Sequence, residues 1–322
     1  EIAQCLVGSE MCIRDRCGPT ASGKTSLSVT LAKELHAEVV SCDSMQIYRG
    51  MEIGTAKPTA DEMQGVPHHL MGFQDPAEPF SVSDYVALAG KVIEDIHARG
   101  KNVLLVGGTG LYARSLLKAV PFTENSRDDE IRGNLEAEFA ADGIEPLYAR
   151  LKALDPEGAE GIHPNNTRRV IRALEYCMVT GEPFSKQAKD SKAVESPYDG
   201  KMLVLSFRDR ETLYGRINLR VEQMFADGLL KEAEDYFKRY GTPGQTSVQA
   251  IGYKELFPYF EGQCSLDEAK ENIKRETRHY AKRQLTWFRR EEDAMWLFAD
   301  DFDAPADLIS AAEDIARAHF ED

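Results

Sequence analysis

Four short apolar runs punctuate the chain: Glu38 to Cys42, Val103 to Val106, Met202 to Phe207 and Met295 to Phe298, each bounded by Gly, Asp or Ser. Runs this short, without strict alternation, read as strands buried on both faces. The stretches between them repeat apolar residues at helical spacing, as at Leu27, Leu31 and Leu35. Buried strands alternating with helices predict a parallel sheet flanked by helices, an α/β fold. Between Glu124 and Pro197 the texture changes to charged, helix-periodic sequence over Asp128 to Ala140, Glu145 to Leu154 and Thr167 to Thr180, with no strand candidate. This predicts an all-helical domain inserted over 124–197 into a core made of 17–123 and 198–322. After the third strand the pattern predicts long helices over Glu211 to Ala226, Leu229 to Tyr240 and Leu266 to Arg290. There is no internal repeat and no low-complexity tract.

Composition narrows the class. With 322 residues, 42% hydrophobic and 29% charged, the chain has enough apolar mass for about two packed domains. No apolar run approaches the roughly eighteen residues that span a bilayer. Lys and Arg number 39 against 54 Asp and Glu, a net charge of −15, so a nucleic-acid partner requires a local basic face. Six scattered cysteines form neither a disulfide framework nor a C-x-x-C half-site, which predicts a reducing cytoplasm and no structural zinc. Residues 1–16 begin without Met and carry Arg14, Asp15 and Arg16 where a buried strand belongs. They are expected to be a non-native or disordered leader.

Gly18-Pro19-Thr20-Ala21-Ser22-Gly23-Lys24-Thr25 fits the phosphate-loop pattern G-x-x-x-x-G-K-[ST] and runs into helical periodicity. Backbone N–H groups from Gly23 onward would line an anion site at a helix N-terminus, with Lys24 as a point charge and the Thr25 hydroxyl placed for Mg²⁺. The chemistry implied is binding of a diphosphate or triphosphate. Asp43 follows the second strand, where ligands of open α/β sheets bind, and can serve as a proton acceptor; the alternative is a turn or helix-capping aspartate. The Val103 strand ends in Gly107-Gly108-Thr109, without the metal-holding Asp common in phosphate-loop NTPases. Those glycines read either as room for a backbone-close ligand or as a plain strand-to-helix turn.

Basic residues cluster at Arg168, Arg169 and Arg172 in the insert and at Arg275, Arg278, His279, Lys282 and Arg289 near the C-terminus, the latter beside Tyr280, Trp287 and Phe288. Each set reads as an RNA-contacting patch or as a solvated helix face. Arg216 and Arg220 either reach the phosphate site or pair with Glu222. His68-His69 lacks further ligands for a metal and reads as structural.

The loop resembles that of the bacterial tRNA dimethylallyltransferase family, also called isopentenyl-diphosphate:tRNA transferase, together with Asp43-Ser44-Met45-Gln46, Ile53-Gly54-Thr55-Ala56-Lys57-Pro58, Val66-Pro67-His68-His69, Gly107-Gly108-Thr109, Ile162-His163-Pro164-Asn165, Ile251-Gly252-Tyr253 and Lys282-Arg283-Gln284 with Trp287. The resemblance spans Gly18 to Phe298; only Glu1 to Cys17 departs from it. It implies a phosphate-loop core with a helical insert. It further implies transfer of a dimethylallyl group from dimethylallyl diphosphate to N6 of the adenosine immediately 3′ of the anticodon, in tRNAs reading codons that begin with U. By the same resemblance the leaving diphosphate is held by Gly18 to Thr25 and Arg220, with Mg²⁺ on Thr25. Asp43, Thr109 and Lys24 carry the chemistry. Asp43, Ser44, Met45, Gln46, Thr109, Arg132, Arg168, Arg169, Val170, Ile171 and Arg172 contact the tRNA anticodon stem-loop. A monomer is expected. The rival readings are a small-molecule kinase, distinguished by ATP-dependent phosphoryl transfer, and a non-catalytic RNA-binding module.

Overall fold

The computed structural model describes residues 11–118, 128–186, 198–241 and 246–320. They fall into two compact units, one holding the chain up to Leu117 and again from Pro197, the other Lys118–Ser196.

The first unit is built on a six-stranded sheet of order β3-β2-β4-β1-β5-β6. Its strands are β1 (Met11–Cys17), β2 (Ala37–Cys42), β3 (His68–His69), β4 (Asn102–Gly107), β5 (Tyr198–Ser206) and β6 (Met295–Phe298), and every pairing is parallel. Part of the expected leader is an ordered strand. Residues 1–10 lie outside the described residues, but the backbone of Met11–Cys17 forms a central strand between β4 and β5, in register from Ile13↔Val103 and Met11↔Tyr198. The physical reason is that a parallel ladder is made by main-chain N–H and C=O groups. Removing β1 would leave two facing edges unpaired, a cost that outweighs unfavourable side-chain composition.

One face of the sheet packs Val40, Cys42, Val103, Leu105, Met202 and Val204 against Tyr85, Ile93 and Ile96 of helix Val82–Ala98 and Tyr112 and Leu116 of helix Gly110–Leu117. The other packs Val39, Leu104, Leu203, Leu205 and Leu297 against helices Lys24–Glu34 and Pro305–Phe320. Helices Val82–Ala98 and Pro305–Phe320 were not among the elements expected from periodicity. A third core joins Ile47, Tyr48 and Met51 to helices Leu229–Tyr240 and Leu266–Phe288. There the Glu232 carboxylate accepts N–H bonds from Glu52, Ile53 and Gly54 (2.9–3.0 Å) and the Tyr253 hydroxyl (2.6 Å), which explains two motifs at once. Gly54 has no room for a Cβ, which would lie 2.4 Å from the Tyr253 ring.

At the opposite end of the sheet from the phosphate loop, buried Glu38 takes Arg99, Lys101 (2.6 Å) and His69 (2.7 Å). His68 bonds the Val66 carbonyl at 2.8 Å, so the histidine pair is structural. The second unit comprises helices Asp129–Asp142, Glu145–Leu154, Pro156–Glu160 and Thr167–Thr180 around Leu135, Leu147, Leu151, Val170, Ile171 and Leu174. Asp128 and Asn166 cap its longer helices by accepting N–H bonds of the first turn. Among the described residues no helix is long and apolar enough to cross a membrane.

Candidate active site

The loop Gly18 to Gly23 joins β1 to helix Lys24–Glu34, and its conformation depends on its glycines. Gly18 has φ +151°, and a Cβ there would lie 2.3 Å from the Leu205 carbonyl oxygen of β5. Gly23 caps the helix in the left-handed region at φ +96°. The helix therefore opens at Lys24 without a side-chain cap on its first N–H groups. Lys24 Nζ donates to the Gly18 and Pro19 carbonyls (2.9 and 2.8 Å), which holds the ammonium over the loop. Arg216 Nε donates to the Ala21 carbonyl at 3.0 Å and its guanidinium lies over the Phe207 ring. Arg220, one turn on, is half-buried within electrostatic range of Asp43; burial pushes its pKa down. Pairing of these arginines with Glu222 is not what the chain does: Glu222 takes Lys274 at 2.6 Å instead.

At the end of β2, Asp43 Oδ1 accepts the N–H groups of Met45 (2.9 Å) and Gln46 (3.3 Å). The turn-capping role is thus real, yet it occupies one oxygen; among the described residues Oδ2 accepts no bond. Burial pushes the Asp43 carboxyl above its ordinary pKa, opposed by those two N–H bonds and by the charges of Lys24 and Arg220. Gln46 in turn donates to the Thr55 and Ala56 carbonyls (3.2 and 3.1 Å), tying this segment to the Ile53–Pro58 motif. Ser44 N–H donates to Thr109 Oγ1 at 3.0 Å and the Thr109 hydroxyl donates to Ser44 Oγ at 3.2 Å, so the ends of β2 and β4 are stitched side chain to backbone.

On the side a Cβ would take, the glycines at the end of β4 meet protein. A Cβ on Gly107 would lie 2.1 Å from the Cys42 carbonyl oxygen, on Gly108 2.2 Å from Gln284 Nε2, and on Gly110 2.1 Å from the Trp287 ring. Protein fills the space, most of it from helix Leu266–Phe288. From that helix Gln284, 5% exposed, accepts the Thr20 N–H (3.1 Å) and donates to the Gly108 carbonyl (2.8 Å). Tyr280 lies beside Thr109; burial and the Asp43 charge push its pKa up. Tyr280, read from the sequence as an aromatic beside a basic patch, and Gln284, read only as part of the Lys282-Arg283-Gln284 motif, are brought by the fold to the end of β4, a placement the sequence reading did not give. Their signal was the i, i+4 interval on a long helix, hidden among basic neighbours.

Among the described residues no group of three His, Cys, Asp or Glu side chains is placed to hold a metal ion. The Thr25 hydroxyl, in the first turn of helix Lys24–Glu34, is the group here that would hold a Mg²⁺ brought in with a bound diphosphate.

In the second unit, buried Glu175 gathers two of the expected tRNA contacts: it accepts Arg132 at 3.2 Å and Arg172 at 3.0 Å. Arg168 and Arg169, both exposed, are on the same helix as Arg172. The Val170 and Ile171 side chains are buried in the core of the helical unit, at 0% and 3% exposure, so any part they take in the expected contact falls to their backbone.

Parallel sheet, glycine loop opening the first crossover helix and polar groups at the ends of β2 and β4 define an α/β protein of the phosphate-loop class carrying a helical insertion. A family model described as IPP transferase matches residues 46–291. The chain is 49% identical over 286 residues to the tRNA dimethylallyltransferase of Halalkalibacterium halodurans, covering 89% of this chain and 90% of that one. It is 48% identical over 291 residues to the tRNA dimethylallyltransferase of Bacillus subtilis, covering 90% and 91%. Among solved structures, the full-length tRNA isopentenylpyrophosphate transferase of Bacillus halodurans superposes with a TM-score of 0.71 at 46% identity, covering 95% of this chain and 96% of that one. A eukaryotic dimethylallyltransferase acting on tRNA superposes with a TM-score of 0.82 at 30% identity, covering 96% and 80%. The chain belongs to the IPP transferase family.

Proposed function

We propose that the chain transfers the dimethylallyl group of dimethylallyl diphosphate to N6 of the adenosine immediately 3′ of the anticodon, in tRNAs that read codons beginning with U. The observation that carries this reading is the placement of a carboxylate with one unoccupied oxygen, Asp43, and a fixed hydroxyl, Thr109, at adjoining strand ends beside a phosphate loop. The relatives' names supply the substrate classes, and the geometry supplies roles.

The adenine N6 attacks the allylic carbon, the carbon–oxygen bond breaks, and its electron pair leaves with the diphosphate. Asp43 Oδ2 takes the proton from N6. Its raised pKa makes it a stronger base than an exposed carboxylate, as a weakly nucleophilic exocyclic amine requires. Loop N–H groups, Lys24 and Arg220 stabilise charge developing on the diphosphate. Mg²⁺, held by the Thr25 hydroxyl, would neutralise further negative charge on the leaving group. Thr109, anchored on Ser44, orients the nucleotide. The target base must leave its stack to reach these groups, and a single-stranded anticodon loop makes that less costly than a duplex. Arg132, Arg168, Arg169 and Arg172 supply backbone contacts to the RNA. The protein acts as a cytoplasmic monomer.

The test is incubation with unmodified tRNA, Mg²⁺ and labelled dimethylallyl diphosphate, with and without ATP. Label in the RNA without ATP is expected. ATP-dependent phosphoryl transfer with no prenyl transfer would return the chain to the kinases, and tRNA binding without turnover would make it an RNA-binding module.

A further inference from the structure

Three residues on one face of helix Leu266–Phe288 meet three consecutive residues after β4. Tyr280 lies beside Thr109, Gln284 donates to the Gly108 carbonyl, and the Trp287 ring occupies the space a Gly110 side chain would need. Spacings of four and three put them on successive turns of that face. Gln284 also reaches the phosphate loop, through the Thr20 N–H. Its amide therefore joins the loop to the strand end, and both its bonds satisfy backbone groups that would otherwise be costly to bury.

The position is exacting. Gly108 must lack a Cβ because that atom would lie 2.2 Å from Gln284 Nε2, and the same point is 3.8 Å from Asp43 Oδ2. The amide nitrogen thus sits against the carbonyl beside the base, while its oxygen holds the phosphate-loop backbone at Thr20. An amide is the side chain that can accept on one side and donate on the other; a carboxylate would set an oxygen against the Gly108 carbonyl oxygen.

We propose that Gln284 is a positioning residue that sets the distance between the leaving-group site and the nucleophile site, so that Asp43 and Thr109 are aligned with the loop at the moment of transfer. The inference rests on the prenyl-transfer reading of the site. Alignment matters mainly in the transition state, so its loss lowers kcat and leaves ground-state binding of either substrate largely intact.

The experiment compares wild type, Gln284→Leu and Gln284→Glu in steady-state transfer of labelled dimethylallyl groups to unmodified tRNA, with tRNA dissociation constants measured separately by filter binding. Expected is a fall in kcat of about a hundredfold, with both KM values and the tRNA dissociation constant within about threefold of wild type. Gln284→Glu preserves shape and the Thr20 acceptor, so it decides the matter if Gln284→Leu is unfolded by circular dichroism. The proposal is overturned by a kcat within about threefold of wild type in a folded variant, or by a rate loss that follows weakened tRNA binding. Unfolding of both variants also overturns it, by assigning Gln284 to stability. Wild type lacking transfer would defeat the functional reading itself, an outcome distinct from all of these.

Discussion

Asp43 joins a local role in the turn after β2 to the proton-accepting role proposed for it. Oδ1 closes the turn after β2, and Oδ2 remains for chemistry. Asp43→Asn keeps the turn acceptor and removes the base, so kcat should fall by about 10²–10⁴ while tRNA binding persists; single-turnover rates alongside filter binding check both halves. The pH dependence has a definite sign. A carboxyl whose folded pKa is raised becomes the active base only as pH rises through that pKa, so kcat/KM of the wild type should climb from acid pH along a limb displaced above the ordinary carboxylate range. The same shift favours the folded state below the unfolded pKa and withdraws that contribution as pH rises through the folded one. A rate profile of wild type with its limb at the ordinary carboxylate pKa would remove Asp43 from the proton-accepting role. The phosphate-loop glycines, Asp43 and Thr109 were legible in the sequence because their motifs are local. Gln284 stood in the sequence only as part of the Lys282-Arg283-Gln284 motif, and what it joins was not legible, because its partners lie 264 and 176 positions away.

At the scale of elements, the sheet ends divide the labour. The C-terminal ends of β2 and β4 carry the site, whereas the other end is held by Glu38, 2% exposed and bonded by Arg99, Lys101 and His69. The Arg99 guanidinium, with Lys101 and His69, holds the Glu38 carboxyl far below its ordinary range despite burial. Because the folded pKa is depressed, the stabilisation is full above the ordinary value of 4.5 and disappears as pH falls through the folded one. Glu38→Gln should cost about 2–3 kcal/mol at neutral pH, below the range for a fully buried pair because Arg99 and Lys101 are well exposed. Urea unfolding at neutral pH and near pH 3 checks this: the gap between wild type and variant should narrow in acid. Buried strands β2, β4, β5 and β6 were recognisable as apolar runs. Strand β1 was not, since its placement follows from ladder bonding between β4 and β5 and leaves no such mark in residue type.

For the molecule as a whole, a net charge of −15 makes RNA recognition a local matter. In the helical unit, where the proposed RNA contacts lie, fully buried Glu175 orders Arg132 and Arg172, while Arg169 stands exposed on the same helix as Arg172. Arg169→Ala should weaken tRNA binding and flatten the log–log salt dependence by roughly 0.7–0.9 for each phosphate that Arg169 neutralises. Binding measured across a salt series checks this, and an unchanged slope would remove Arg169 from the phosphate contacts. Glu175→Gln should release both guanidiniums, weakening binding by about tenfold with transfer chemistry on bound tRNA unchanged; comparing the dissociation constant with the single-turnover rate at saturating tRNA separates the two effects.

The sequence by itself determined what depends on neighbours along the chain: apolar periodicity, the helical insertion, and a phosphate loop whose conformation is set by glycine at Gly18 and Gly23. Only the tertiary structure decided what depends on convergence of distant segments. It put β1 into the middle of the sheet and buried Val170 and Ile171. It filled the space beside Gly108 and Gly110 with Gln284 and Trp287, and among the described residues it left one oxygen of Asp43 without a protein partner. Those outcomes rest on which main-chain groups need partners and which faces are covered once the chain has folded, quantities that no local pattern of residues encodes.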